Sequence, residues 1–204
     1  MVTNLERTYF HESLHNLYED GRFEEFGSVT LMSFERSVNG ASLVLRFSDN
    51  EDILNQDYEI ILTDIGTYNI QPSFDPYIEI CDRDPKLIIY NSTQSSLYFK
   101  SMSRNPAKLI EDVASTIKQT YAGKISLQEI FLNVDDFIKR SRMEFGLYMI
   151  SGKEIVELVH SILINHNMEP STVVSKSSKE KNYKILYFGK SWILFKELKM
   201  KNLN

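Results

Sequence analysis

Residues 28–47 read SVTLMSFERSVNGASLVLRF. Val29 to Arg36 and Ser42 to Phe47 are short runs rich in β-branched and aromatic residues, and Leu43, Leu45 and Phe47 recur at every second position. A period of two places such residues on one face of a strand. Asn39-Gly40 lies between the runs, and this pair takes the positive φ angles of a two-residue hairpin turn with little strain. The stretch therefore predicts an antiparallel hairpin turning at Asn39-Gly40.

Downstream, strands are expected at Tyr58 to Leu62, Thr67 to Ile70, Tyr77 to Cys81, Leu87 to Tyr90 and Leu97 to Lys100, separated by turn residues such as Gly66, Pro72, Asp75-Pro76 and Asp84-Pro85. No connection among them is long enough for helical crossovers, so an antiparallel meander is expected. Upstream, Thr3-x-x-Glu6 has capping-box spacing, and Leu5, Tyr9, Phe10, Leu14, Leu17 and Tyr18 recur at helical intervals until Gly21, which predicts a helix over 4–19.

The second half reads as helical. Pro106 behind Asn105 suits a first turn, and the stripe Leu109, Ile110, Val113, Ile117, Tyr121 stops before Gly123. Ser126 with Glu129, and Ser151 with Glu154, have capping-box spacing, each flanked by the apolar pair of a hydrophobic staple, so helices are expected from near Leu127 and Gly152. The Ser- and Lys-rich residues 171–182 read as a loop. Ile185 to Phe188 and Trp192 to Phe195 around Gly189-Lys190-Ser191 read as a hairpin covered on both faces. The expected fold class is α+β: an N-terminal helix, an antiparallel β-meander, then three helices and a C-terminal β-hairpin. The domain reading is a single protein over 1–204, divisible into a β-rich part, 1–104, and a helical part with the terminal hairpin, 105–204.

Hydrophobic residues at 42% and charged residues at 25% lie in the globular range. The opening residues hold no apolar leader, and no run of about 18 apolar residues occurs, so a cytoplasmic protein without a membrane partner is expected. Charge is uneven: residues 171–204 hold eight Lys and two Glu, whereas 1–170 hold 15 basic and 26 acidic side chains. An acidic body repels nucleic acid and favours a basic protein partner. Lys176, Lys179, Lys181 and Lys184 lack the interleaved Arg and aromatic residues of a nucleic-acid reader. Eleven Tyr suit a protein interface as well as a β-rich core, and self-association is left open.

His11-Glu12-Ser13-Leu14-His15 resembles the zinc-binding helix of zincin metallopeptidases. The resemblance implies His11 and His15 as zinc ligands and Glu12 as the general base on a metal-bound water. It covers about ten residues. A catalytic zinc needs a third protein ligand, and Glu19 lies eight residues from His11, about 12 Å along a helix. Asp82-Arg83-Asp84 resembles the metal-nucleotide carboxylate pair of some glycosyltransferases, but Asp84-Pro85 reads as a turn opener. Gly189-Lys190-Ser191 lacks the first Gly of a phosphate-binding loop. Cys81 reads as a small buried strand residue, and His160 and His166 as surface or helix-end residues.

The expected function is accordingly a non-catalytic protein-binding module, of an immunity or inhibitor type that neutralises a basic partner, with no catalytic, cofactor-binding or metal residues. The alternative is a zinc-dependent hydrolase using His11, Glu12 and His15. On the first reading, His11→Ala leaves the metal content of the purified protein unchanged by elemental analysis; stoichiometric zinc lost in that variant would move the hydrolase to first place.

Overall fold

The computed structural model describes residues 27–49, 55–72, 78–131, 133–175 and 181–203. Its strands in chain order are β1 (Gly27–Arg36), β2 (Gly40–Asp49), β3 (Asn55–Thr63), β4 (Tyr68–Asn69), β5 (Ile78–Cys81), β6 (Gln94–Phe99), β7 (Gly146–Gly152), β8 (Ser171–Val174), β9 (Lys184–Phe188), β10 (Ser191–Phe195) and β11 (Glu197–Asn202). Its helices are α1 (Leu87–Asn91), α2 (Pro106–Thr120), α3 (Leu127–Phe131), α4 (Val134–Arg140) and α5 (Lys153–Asn165). Contacts divide the chain into two units, Met1–Arg83 with Asn182–Asn204, and Asp84–Lys181.

In the first unit, two antiparallel sheets of order β1-β2-β3-β11 and β4-β10-β9-β5 share one core. Alternation supplies it. Leu43, Leu45 and Phe47 of β2 and Tyr58, Ile60 and Leu62 of β3 are buried with Leu186, Phe188, Ile193 and Phe195 of β9 and β10. Phe47 and Tyr58 meet edge to face at 5.3 Å. Register is reinforced by Arg46 opposite Asp57, whose two nitrogens donate to the two carboxylate oxygens at 2.8 Å each. The hydrogen bond from Arg46 holds the Asp57 carboxyl below the usual range. Chain direction switches sheets at Lys196, where β10 ends and β11 begins beside β3.

The second unit has a three-stranded antiparallel sheet of order β7-β6-β8 and the helices. Leu97 and Phe99 of β6 and Tyr148 and Met149 of β7 are buried in one cluster with Leu109, Val113 and Ile117 of α2, Phe137 of α4, and Ile155, Val159 and Leu163 of α5. The β6–β7 register shifts between Leu97 and Tyr98, so Tyr148 and Met149 can both be buried. Helix starts follow local chemistry. Asn105 accepts from Lys108 N at 3.1 Å, and Ser126 and Glu129 cap reciprocally, Ser126 N donating to Glu129 Oε2 at 2.7 Å and Glu129 N to Ser126 Oγ at 3.3 Å.

The expected fold class is corrected: the described residues are mostly strand, in three antiparallel sheets, with five helices. They do not form a meander followed by three helices. β4 and β5 pair not with each other but with β10 and β9, more than a hundred residues downstream, because the apolar C-terminal strands offer the larger buried surface. Leu87 to Asn91 form a helical turn instead of a strand. Asp84 opens it, its Oδ1 accepting from Lys86 N at 2.8 Å and its carbonyl from Leu87 N at 2.9 Å. Residues 171–174, expected in a loop, pair with Ser95 to Tyr98. The terminal hairpin continues into β11, whose Glu-Leu-Lys-Met-Lys-Asn alternation is that of a strand with one face in water. The helix expected over 4–19 lies outside the described residues.

Two finer readings also change. Ser151 does not cap α5: it is 2% exposed within β7, its Oγ makes no hydrogen bond, and Ile150 is 54% exposed rather than stapled to Ile155. The strand runs directly into the helix, and Lys153 N donates to Thr93 O at 2.9 Å. The β1–β2 hairpin exists, but it turns through Val38-Asn39, with Ser37 N donating to Gly40 O at 2.9 Å, and neither Asn39 nor Gly40 has positive φ. Gly40 is instead required by close approach: a Cβ there would lie 2.2 Å from the Leu62 carbonyl oxygen. Gly40→Ala therefore forces β2 from β3 and is expected to cost about 1–3 kcal/mol; an unchanged midpoint in urea denaturation would sink this account.

Candidate functional site

His11, Glu12 and His15 lie outside the described residues. The other candidates are placed, and most hold structure together. Asp84 is 4% exposed and accepts from Lys124 Nζ at 3.3 Å as well as from Lys86 N. Lys86 pairs with Glu129, which also caps α3. The Asp82-Arg83-Asp84 segment thus ends in a carboxylate occupied by two donors from its own unit. Ser191 of the Gly189-Lys190-Ser191 turn is buried, donating to Gln71 O and accepting from Gln71 N at 2.9 Å. Cys81 is partly buried in β5. No group of three His, Cys, Asp or Glu able to hold a metal occurs among the described residues.

One constellation was not legible from spacing. Ser103 Oγ lies 3.3 Å from His166 Nδ1, and His166 Nε2 lies 2.9 Å from Asp112 Oδ2. Folding brings these together because His166 is the C-cap of α5, with its N–H on Ile162 O and Leu163 O, while Asp112 sits on α2 and Ser103 just before it. The order of contacts is that of a nucleophile, a base and an orienting carboxylate. Access decides against that chemistry. Ser103 is 1% exposed, and its Oγ already accepts from Asn105 N at 3.2 Å, at the turn that starts α2. A hydroxyl enclosed in this way cannot meet a substrate carbonyl, so the set acts as a clip between α2 and the end of α5.

The second feature is a surface. β6 faces inward with Ser95, Leu97 and Phe99 and outward with Ser96 and Tyr98. Ser96 stands opposite Ile150 on one side and Val173 on the other. Ile150, Ser96 and Val173 therefore lie abreast on the outer face, with Tyr98 two positions along. Tyr98 is 40%, Ile150 54% and Val173 59% exposed. Among the described residues, no strand pairs with the outer edge of β8. Sequence reading missed this face because Ile150 fitted a helix staple and 171–174 fitted a loop. No described helix is long and apolar enough to cross a membrane.

No family model, curated protein or solved structure matches the chain.

The clip has a pH signature. Hydrogen bonds from His166 and then Lys108 hold the Asp112 carboxyl below its ordinary value near 3.8. A carboxyl depressed by folding contributes stability that is present above the unfolded value and is lost as pH falls through the folded one. Asp112→Asn should therefore be less stable than wild type at neutral pH, with the difference shrinking between about pH 5 and pH 2. Urea midpoints across that window check this; a constant difference would show that the carboxylate charge is not involved.

Proposed function

We propose that the chain is a non-catalytic protein-binding module, of the immunity or inhibitor type that neutralises a basic partner, and that it engages that partner through the outer face of β6, β7 and β8. The observation that carries this reading is the row of Ile150 and Val173 across Ser96, with Tyr98 beside it, all left open to water. Side chains facing solvent on a sheet with one covered face are ordinarily polar. Covering three half-exposed apolar groups contributes on the order of 1 kcal/mol each to association. Tyr98 adds contact area with a polar tip, a combination favoured at interfaces. The outer edge of β8, with which no described strand pairs, offers backbone donors and acceptors to a partner strand.

Charge supports a basic partner. Residues 1–26 carry six acidic and two basic side chains, and residues 49–64 carry six acidic and no basic side chains. By contrast, Lys201 of β11 stands opposite Glu59, and Lys196, between β10 and β11, has its Nζ 3.1 Å from Asp64. Two of the eight lysines of the basic tail, Lys196 and Lys201, thus face carboxylates of their own unit.

The test is capture of the native partner on immobilised wild-type protein and on an Ile150→Asp, Val173→Asp variant. A stoichiometric basic protein retained by the wild type and weakened at least tenfold by the variant is expected, with an association rate that falls between about 0.05 and 0.5 M salt as screening grows. Equal retention by the variant would remove the β6–β8 face from the proposal. A rate indifferent to salt would remove the basic partner.

A further inference from the structure

At the tip of the β1–β2 hairpin the first unit has a polar depression of about 150 Å³. Arg36 and Asn39 line it from the hairpin, Asp64 from just after β3, Tyr183 from just before β9 and Lys196 from between β10 and β11. The hairpin tip is tied down on this side, since Asp64 N donates to Asn39 O at 3.0 Å. Asp64 has a φ of +50°, a left-handed conformation that suits a short polar side chain at a tight turn.

The charged groups are held in place. The Arg36 guanidinium sits 5.5 Å from the centroid of the Tyr68 ring, which packs on Phe34 at 5.1 Å. Lys196 Nζ lies 5.5 Å from the centroid of the Tyr183 ring and 3.1 Å from Asp64 Oδ2. That hydrogen bond raises the Lys196 ammonium above its usual value. Lys196 is thus neutralised by Asp64. Arg36 has no carboxylate partner among the described residues, and stacking on a ring leaves the edge donors of a guanidinium open to an acceptor in its plane.

We propose that this depression binds a single carboxylate, gripped by Arg36 and assisted by the Asn39 amide and Lys196. The argument from charge selects the ligand class. Two cations and one carboxylate leave a net of one positive charge, which matches a monoanion, whereas a phosphate dianion would meet Asp64 with its second charge. The planar fork of Arg36 suits a carboxylate's two oxygens. The carboxylate can come from a chain terminus or from an acidic side chain. The inference is independent of the β6–β8 face, which lies in the other unit.

The experiment is a titration of the full-length protein followed by amide NMR shifts. N-acetylglycine represents a chain terminus, N-acetyl-aspartate N-methylamide a side-chain carboxylate, and inorganic phosphate at pH 8 the dianion. Saturable shifts confined to Ser37–Gly40 and Asp64 are expected with at least one carboxylate at a Kd of order 1–10 mM, and weaker ones with phosphate. The source is the carboxylate that binds more tightly. Arg36→Gln should weaken binding at least tenfold while leaving distant resonances in place. Asp64→Asn should bind carboxylate more tightly and lose the discrimination against phosphate, a gain that damage to the fold does not produce. Shifts absent up to about 50 mM, unchanged by Arg36→Gln, or weakened by Asp64→Asn would overturn the proposal.

Discussion

Pairing of β9, β10 and β11 with strands made before residue 82 is the constraint on which the first unit depends. β9 lies on β5, β10 on β4 and β11 on β3, so both sheets take strands from either end of the chain. The entropic penalty of the intervening segment is small. Lengthening a connection from about 10 to about 100 residues costs roughly 2 kcal/mol, and full burial of one large apolar side chain contributes about 1.5–3 kcal/mol. Leu186, Phe188, Ile193 and Phe195 are all buried, so the returning strands outweigh that penalty several times over. The excursion also starts and ends at one place, because Cys81 stands directly opposite Ile185. The second unit therefore enters the chain where the first has two neighbouring strand ends.

Local chemistry was legible wherever it acts over a few residues. The Asn105 cap, the Ser126 and Glu129 reciprocal pair, and the alternation of Leu43, Leu45 and Phe47 could each be read directly, since their partners lie within one turn or one strand. Reading failed where a distant partner decided the outcome. Leu87 to Tyr90 is too short a run for periodicity to separate helix from strand. β8 is a strand because it pairs with β6, which no pattern within Ser171–Val174 records, and the alternation within Glu197–Asn202 does not name β3 as its partner. Gly40 was legible as a turn glycine for a sound reason, yet the Leu62 carbonyl against it is a fact about β3.

The candidate sites divide in the same way. Ser103 and Asp112 lie more than 50 residues before His166 and meet it only through the packing of α2 and α5, so their relay-like order has no sequence signal; the burial of Ser103 turns that order into a fastening. The outer face of the second unit's sheet is made from three separate segments, each carrying there one exposed apolar side chain that is ordinary alone. Its abreast arrangement follows from register, and register is set by turns and inward-facing residues. The hairpin-tip depression likewise collects Arg36, Asp64 and Lys196 from three parts of the chain.

Insertion of the second unit between β5 and β9 also bears on synthesis. When β5 leaves the ribosome, the inward row of β2 and β3, from Leu43 to Leu62, has no opposing sheet. The strands that will cover it follow about 100 residues later, a wait of roughly 5–20 s at ordinary elongation rates. Over that interval the second unit can complete its own core while the first holds an open apolar face and an unpaired β3 edge, the features that recruit neighbouring nascent chains or chaperones. The order of the genetic message thus makes β9, β10 and β11 the strands that close this open apolar face.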